Sequence, residues 1–172
     1  LMISCGAEQA MKKGDKHYAI GEYYGAATQY RKAYSQTPAK ERTVKGQRAM
    51  KMAECYRRIN FTTKAITAYN NAVRYKQADS LTHFYLGQLH MKNGNYKEAA
   101  KQFQTAIDSL LETDPHWSLA KTGLKAAQMA PQWKKDGSDY IVKREGLFNS
   151  RRAEYSTSRS EERRVGKECR SR

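Results

Sequence analysis

A repeat of 34 residues constrains this chain more than any other feature. Ala65, Tyr69 and Ala72 in the stretch INFTTKAITAYNNAV recur as Ala99, Phe103 and Ala106 in NGNYKEAAKQFQTAI. The same offset places Ala53 on Gly87 and Tyr56 on His90. A third copy lies upstream in IGEYYGAATQYRKAY, where Ala26, Tyr30 and Ala33 keep the spacing, Gly14 and His17 precede them, and Pro38 closes the copy. The step from this copy to the next is 39 residues, so the extra length falls near Pro38–Thr43. Units of this size cannot bury an apolar face alone. Stacking must supply the core, and about three units are the minimum for it.

The spacing of four and then three puts the small and aromatic residues of each copy on one helical face. A small residue at Gly14, Ala53 and Gly87 lets a first helix approach closely, and the aromatic at Tyr30, Tyr69 and Phe103 fills the gap to its neighbour. Gly21 and the Asn93–Asn95 triplet fall where the first helix must stop and turn, and Tyr23 and Tyr96 open the second helices. The expectation is an all-α solenoid of three helical hairpins over residues 7–40, 46–79 and 80–113. A capping helix follows in DPHWSLAKTGLKAAQMAP, with Trp117, Leu119, Ala120, Leu124 and Ala127 at helical spacing and Pro131 as its end. Repeats and cap thus span 7–131, and residues 132–158 read as a basic, extended linker towards a further domain. In period and in most signature positions the pattern resembles the tetratricopeptide repeat family. It departs at Lys13, where that family has a large apolar residue, and at His17 and His90, where it has a tyrosine.

Composition fits: 39% apolar and 28% charged residues, only three prolines, and no apolar run near the roughly 20 residues that span a bilayer. The formal charge of +15 would ordinarily suggest an anionic partner. However, the last fourteen residues, RSEERRVGKECRSR (159–172), resemble the in-frame translation of a common sequencing adapter, and we exclude them from fold reasoning as an artefact. Without their six basic and three acidic residues the charge is +12. Cys169 goes with them. Cys5 and Cys55 remain, too few for a disulfide framework or a zinc site.

No catalytic constellation emerges. His83 and His90 are seven residues apart but occupy inter-helix packing positions, and no ligand neighbours them. Cys55 lies inside a first helix as a buried, inert thiol. Phosphate-loop glycines and a serine-nucleophile elbow are both missing from the sequence. The reading is a non-enzymatic protein, with no catalytic residue, metal or cofactor. The residues that can bind lie on the groove side of the first helices. These are Met11, Asp15 and Tyr18, then Met50, Glu54 and Arg57, then Phe84, Gln88 and Met91. Methionine and aromatic side chains beside a few charges suit a peptide or another protein's surface. Chaperone-binding repeats of this family clamp a C-terminal carboxylate with asparagine and lysine. Here Asp15 and Glu54 stand where an asparagine would, and their charge repels a carboxylate. The basic stretch Lys134–Arg152, with Tyr140 and Phe148 interleaved, leaves RNA binding as a minor alternative.

The opening residues LMISCG stand outside the first hairpin in this reading. Met2-Ile3-Ser4-Cys5 resembles a bacterial lipobox, which makes residues 1–6 the end of a lipoprotein signal peptide and Cys5 the lipid-bearing residue. Residues 1–156 resemble the N-terminal part of large Bacteroidetes outer-membrane lipoproteins, in which tetratricopeptide repeats precede a β-propeller and an OmpA-like peptidoglycan-binding domain. The lines carrying the resemblance are KKGDKHYAIGEYYGAATQYRKAY, KMAECYRRINFTTKAITAYNNAVRYK and APQWKKDGSDYIVKREGLFNSRRAEYS. It implies a lipid-anchored scaffold on the periplasmic face of the outer membrane, serving machinery of the type IX secretion kind. Peptidoglycan would then be bound only through a domain beyond this sequence. The alternative is a cytosolic adaptor or RNA-associated repeat protein with its start at Met2.

Overall fold

The computed structural model describes the backbone of residues 2–137 and the side chains of residues 6–137. Among these residues every regular element is an α-helix. Helices α1 (Met2–Ala19) and α2 (Tyr23–Gln36) form one hairpin, α3 (Arg42–Arg58) and α4 (Thr62–Arg74) a second, and α5 (Thr82–Lys92) and α6 (Tyr96–Ser109) a third; α7 (Pro115–Asp136) closes the series. Each helix packs on the next, and α7 also reaches back to α5. This is the all-α solenoid that the repeat predicts.

Close approach within each hairpin has the cause that the sequence suggests. A Cβ added at Gly14 would stand 2.6 Å from the Tyr30 ring, and one at Gly87 would stand 2.7 Å from Phe103. Ala53, at the same register position, is fully buried. The three aromatics Tyr30, Tyr69 and Phe103 are themselves buried, each contributing roughly 2–3 kcal/mol relative to an exposed ring. A Cβ at Gly123 on α7 would meet the same Phe103 ring at 2.6 Å. Phe103 is therefore clasped between α5 and α7, and the cap reuses the close-approach position of a first helix.

One turn design ends all three first helices. Gly21, Asn60 and Gly94 adopt positive φ (79°, 60° and 75°). In each case the next residue's N–H returns five residues to a helical carbonyl: Glu22 to His17, Phe61 to Tyr56 and Asn95 to His90, all at 2.9 Å. That is the Schellman pattern, which favours glycine or asparagine at the left-handed position. Asn60 fills the glycine's place in the second hairpin.

The buried side chains form two clusters. One runs through the first two hairpins and ends on Leu86 and Leu89; the other joins Phe84, Phe103 and Leu110 to Ala120 and Ala127 of α7. Tyr85 packs against both. Between the first two hairpins, the buried guanidinium of Arg48 donates to the Thr37 hydroxyl at 2.5 Å, to the Ala33 carbonyl at 3.3 Å and to the Glu8 carboxylate. A buried charge requires such a full set of acceptors.

Two boundaries differ from the sequence reading. The helical backbone of α1 begins at Met2 and not at Ala7, so Met2–Gly6, including the backbone of Cys5, belong to the first helix. Likewise α7 continues through Pro131 to Asp136. The proline removes only the bond to the Ala127 carbonyl, and residues 131–136 are all exposed, so the helix crosses it without disturbing a core. Residues 132–136 of the expected linker are thus helical. The rest of that linker (138–158) and the adapter-like tail (159–172) lie outside the described residues, as does the side chain of Cys5.

Candidate functional site

Helix α3 has two working faces. Met50 and Glu54 point one way, while Met52 and Tyr56, each two residues on and therefore about 200° round the helix, point the other. The Met50 face opens on a cavity of about 460 Å³. Asp15 and Tyr18 of α1 line one side; Leu81 and Tyr85, at the start of the third hairpin, line the other; Tyr30 and Tyr69 form the floor. Lys51 and Asp79 complete the rim.

The floor repeats one polar pair. The Tyr30 hydroxyl donates to Asp15 at 2.8 Å, and the Tyr69 hydroxyl donates to Glu54 at 3.0 Å. The partners are fifteen residues apart in both hairpins. In the third hairpin the same positions hold Phe103 and Gln88, so hydroxyl and charge disappear together. Each carboxylate also has a cation. Lys51 donates to Asp15 at 2.6 Å. Arg57 grips Glu54 through two nitrogens, at 2.6 and 3.0 Å, and Arg58 adds a third bond at 2.8 Å. Arg57 in turn lies 4.0 Å over the Tyr85 ring, an arrangement that a guanidinium favours.

These contacts fix the charge state of the floor. Burial works against both carboxylates. For Glu54 it is overcome by the hydrogen bonds and charge of Arg57 and by bonds from Tyr69 and Arg58. For Asp15 it is overcome by Lys51 and Tyr30. Both pKa values fall below the ordinary carboxylate range, so both groups are ionised at neutral pH. Burial, followed by the neighbouring carboxylate, raises the pKa of Tyr30 and Tyr69, which remain neutral donors.

Four of the nine predicted groove residues line the cavity: Asp15, Tyr18, Met50 and Glu54. Arg57 acts behind them, through Glu54 and Tyr85. Met11 is half-buried against the first core cluster, and Met91 packs against the second. Gln88 is exposed, away from the cavity. Phe84 requires a correction: it is 3% exposed and belongs to the second core, tilted against Phe103 and edge-on to His116. Once α7 covers α5, its position on the helix turns inward. The sequence reading missed Lys51, Leu81 and Tyr85, although Lys51 and Tyr85 share one register position, 34 residues apart.

The described histidines are held by local contacts or by burial. His17 pairs with Glu22 at 2.6 Å, His83 with Gln102 at 2.8 Å and His116 with Asp114 at 2.8 Å. His90 is buried, which lowers its pKa. Among the described residues, no group of three or more His, Cys, Asp or Glu side chains could hold a metal ion. Burial pushes the Cys55 thiol up to about 12, leaving it without thiolate character at neutral pH. Tyr140 and Phe148 of the basic stretch lie outside the described residues.

Comparison with known proteins agrees with this geometry. The family model for the tetratricopeptide repeat matches residues 80–109, the third hairpin. Among solved structures, the first tetratricopeptide repeat domain of Spaghetti (RPAP3), bound to an HSP90 peptide, superposes with a TM-score of 0.56 at 20% identity, over 75% of this chain and 98% of that one. The Sgt2 tetratricopeptide repeat domain from Aspergillus fumigatus does so with a TM-score of 0.56 at 19% identity, over 89% and 93%. A search of curated proteins finds no match to this sequence. Residues 2–137 therefore have the tetratricopeptide-repeat fold, as three helical hairpins closed by a capping helix.

Proposed function

We propose that this chain is a non-enzymatic scaffold that holds a segment of another protein in the groove across its first helices. The observation that carries the reading is the cavity itself. Six of its lining side chains are tyrosine, methionine or leucine, while two of its three carboxylates are satisfied inside the protein by Lys51, Arg57 and Arg58. Such a surface offers apolar area without an unpaired charge on its floor, which suits an apolar anchor from a peptide. The solved relative bound to an HSP90 peptide supports a peptide as the class of partner. A chaperone-like C-terminal carboxylate fits this groove poorly, because Lys51, Arg57 and Arg58 are already committed to Asp15 and Glu54 and cannot clamp it without giving those carboxylates up.

The test is a display selection of peptides on the immobilised protein, followed by titration of the selected peptides against the Tyr18→Ala variant. Tyr18 is only half-buried, at the cavity edge. A groove binder should lose about tenfold in affinity, or about 1.4 kcal/mol, with the thermal transition kept. Unchanged affinity for every selected peptide would remove the groove from the account.

The cellular setting we infer is the bacterial envelope: a lipid on Cys5 holding the repeats at the periplasmic face of the outer membrane, in a type IX secretion-like assembly. The lipobox-like Met2–Cys5 and the three lines resembling the Bacteroidetes lipoproteins support it. Processing would remove Leu1–Ser4 and leave Cys5 at the head of α1. Mass measurement of the N-terminal peptide from membranes of the producing bacterium should show an acylated Cys5. An unmodified peptide beginning at Met2 would favour the cytosolic adaptor.

A further inference from the structure

The opposite face of α3 holds a second cavity, of about 390 Å³. Helices α2 and α4 both pack on α3 but scarcely on one another, and the cleft between them is floored by Met52 and Tyr56 of α3. Arg31 of α2 stands on one side and Lys64 of α4 on the other. No acidic side chain lines the cleft. Neither Arg31 nor Lys64 takes part in any ion pair among the described residues. This contrasts with the groove on the other face, where Lys51, Arg57 and Arg58 are committed to internal carboxylates. An exposed aromatic shelf adjoins the cleft. Phe61 is 38% exposed, edge-on to Tyr24 (65% exposed) at 6.2 Å and stacked on Tyr56 at 6.3 Å. The Lys64 ammonium lies 4.8 Å over the Phe61 ring and 5.9 Å from that of Tyr56.

We propose that this outer cleft is a second docking site, which takes an acidic segment of a partner protein. An apolar side chain of the segment enters over Met52 and Tyr56, and flanking carboxylates pair with Arg31 and Lys64. Charge complementarity selects the occupant. Two cations without an acidic partner among the described residues flank an apolar floor, and a carboxylate gains two charge-assisted bonds there with no acid lining the cleft to repel it. Lys64 is held over the rings at little further entropic cost, so its ammonium is already placed. A single-stranded nucleic acid fits less well, because it needs open ring faces for base stacking along a track of cations. Within the cleft Tyr56 is only 6% exposed and Tyr34 half-buried. On the adjoining shelf the Phe61 ring is already stacked on Tyr56 and covered by Lys64, which leaves Tyr24 as the open ring of the shelf. The site is independent of the groove: it shares no lining residue with it.

The experiment is fluorescence anisotropy with a short labelled peptide alternating glutamate with leucine and phenylalanine, in physiological salt. Three proteins are compared: the parent, Arg31→Glu/Lys64→Glu, and a charge-matched control, Lys12→Glu/Lys16→Glu, whose positions are exposed on α1. The expected result is saturable binding to the parent, at least a tenfold loss in the cleft variant and less than a twofold change in the control, with all three melting alike. Equal losses in both variants would mean that bulk positive charge attracts the peptide, and would overturn the site. So would the absence of saturable binding to the parent. A labelled oligouridylate bound more tightly than the peptide, and lost only in the cleft variant, would replace the proposal with a nucleic-acid site.

Discussion

Glu54 is the residue on which the groove floor turns. It joins Tyr69 of the same hairpin to Arg57, and through Arg57 to Tyr85 of the next. Replacing it with glutamine leaves Arg57 half-buried without its counter-charge, and Glu54→Gln should cost about 1–3 kcal/mol in denaturant unfolding. The same bonds set a pH dependence. A carboxylate whose pKa is lower in the folded than in the unfolded chain contributes stability above its unfolded value and loses that contribution as pH falls through the folded value. Asp15 and Glu54 both have this sign. The contribution of these two carboxylates should therefore be flat from neutrality to the ordinary carboxylate range and fall below it. A separate, earlier loss comes as pH falls below the ordinary histidine value, because buried His90 resists protonation. Glu54→Gln should flatten part of the lower fall alone in urea titrations at stepped pH. Gly87 makes a steric point at the same scale. Its missing Cβ leaves room for Phe103, and Gly87→Ala should destabilise by about 1–2 kcal/mol despite the better helix propensity of alanine, read as a lower melting temperature. The glycine and the aromatic were both legible in the sequence, because the repeat pairs them. The lining of the groove was legible only where the register alone decides direction, as at Asp15 and Met50. It failed at Phe84, because the sequence does not tell which face of α5 the cap will cover.

At the scale of the helices, one local design recurs with variation. Three hairpins share a Schellman turn, and the sequence marks two of them with glycine. The third was not legible, because Asn60 does the work of a glycine and isolated asparagines have no single meaning. Helix ends were harder. Pro131 reads as a stop, yet α7 continues to Asp136, since a proline near an exposed end forfeits one hydrogen bond and little packing. The lost bond still has a cost. Pro131→Ala should raise the melting temperature by a stabilisation of up to about 3 kcal/mol and increase helical circular dichroism, whereas a true helix stop at residue 131 would leave both unchanged.

At the scale of the molecule, the described residues form three hairpins and a cap that share two cores, bridged at Tyr85. The stacking that makes the fold also makes two surfaces, because first helices face one side and second helices the other. On one side aromatic rings and internally paired carboxylates form a groove; on the other, two cations with no ion pair among the described residues flank an apolar cleft. The repeat made the architecture legible from sequence alone. It could not show which cations are held by internal carboxylates, since Arg57 and Arg31 look alike until their neighbours are placed. The central claim, that the groove holds a protein segment, is tested most directly by mapping a display-selected peptide onto the protein by nuclear magnetic resonance, with the methyl groups of methionine and leucine labelled. The account predicts saturable shifts at Met50 and Leu81, with Leu110 of the second core unmoved. Shifts absent from Met50 and Leu81 at saturation would contradict it.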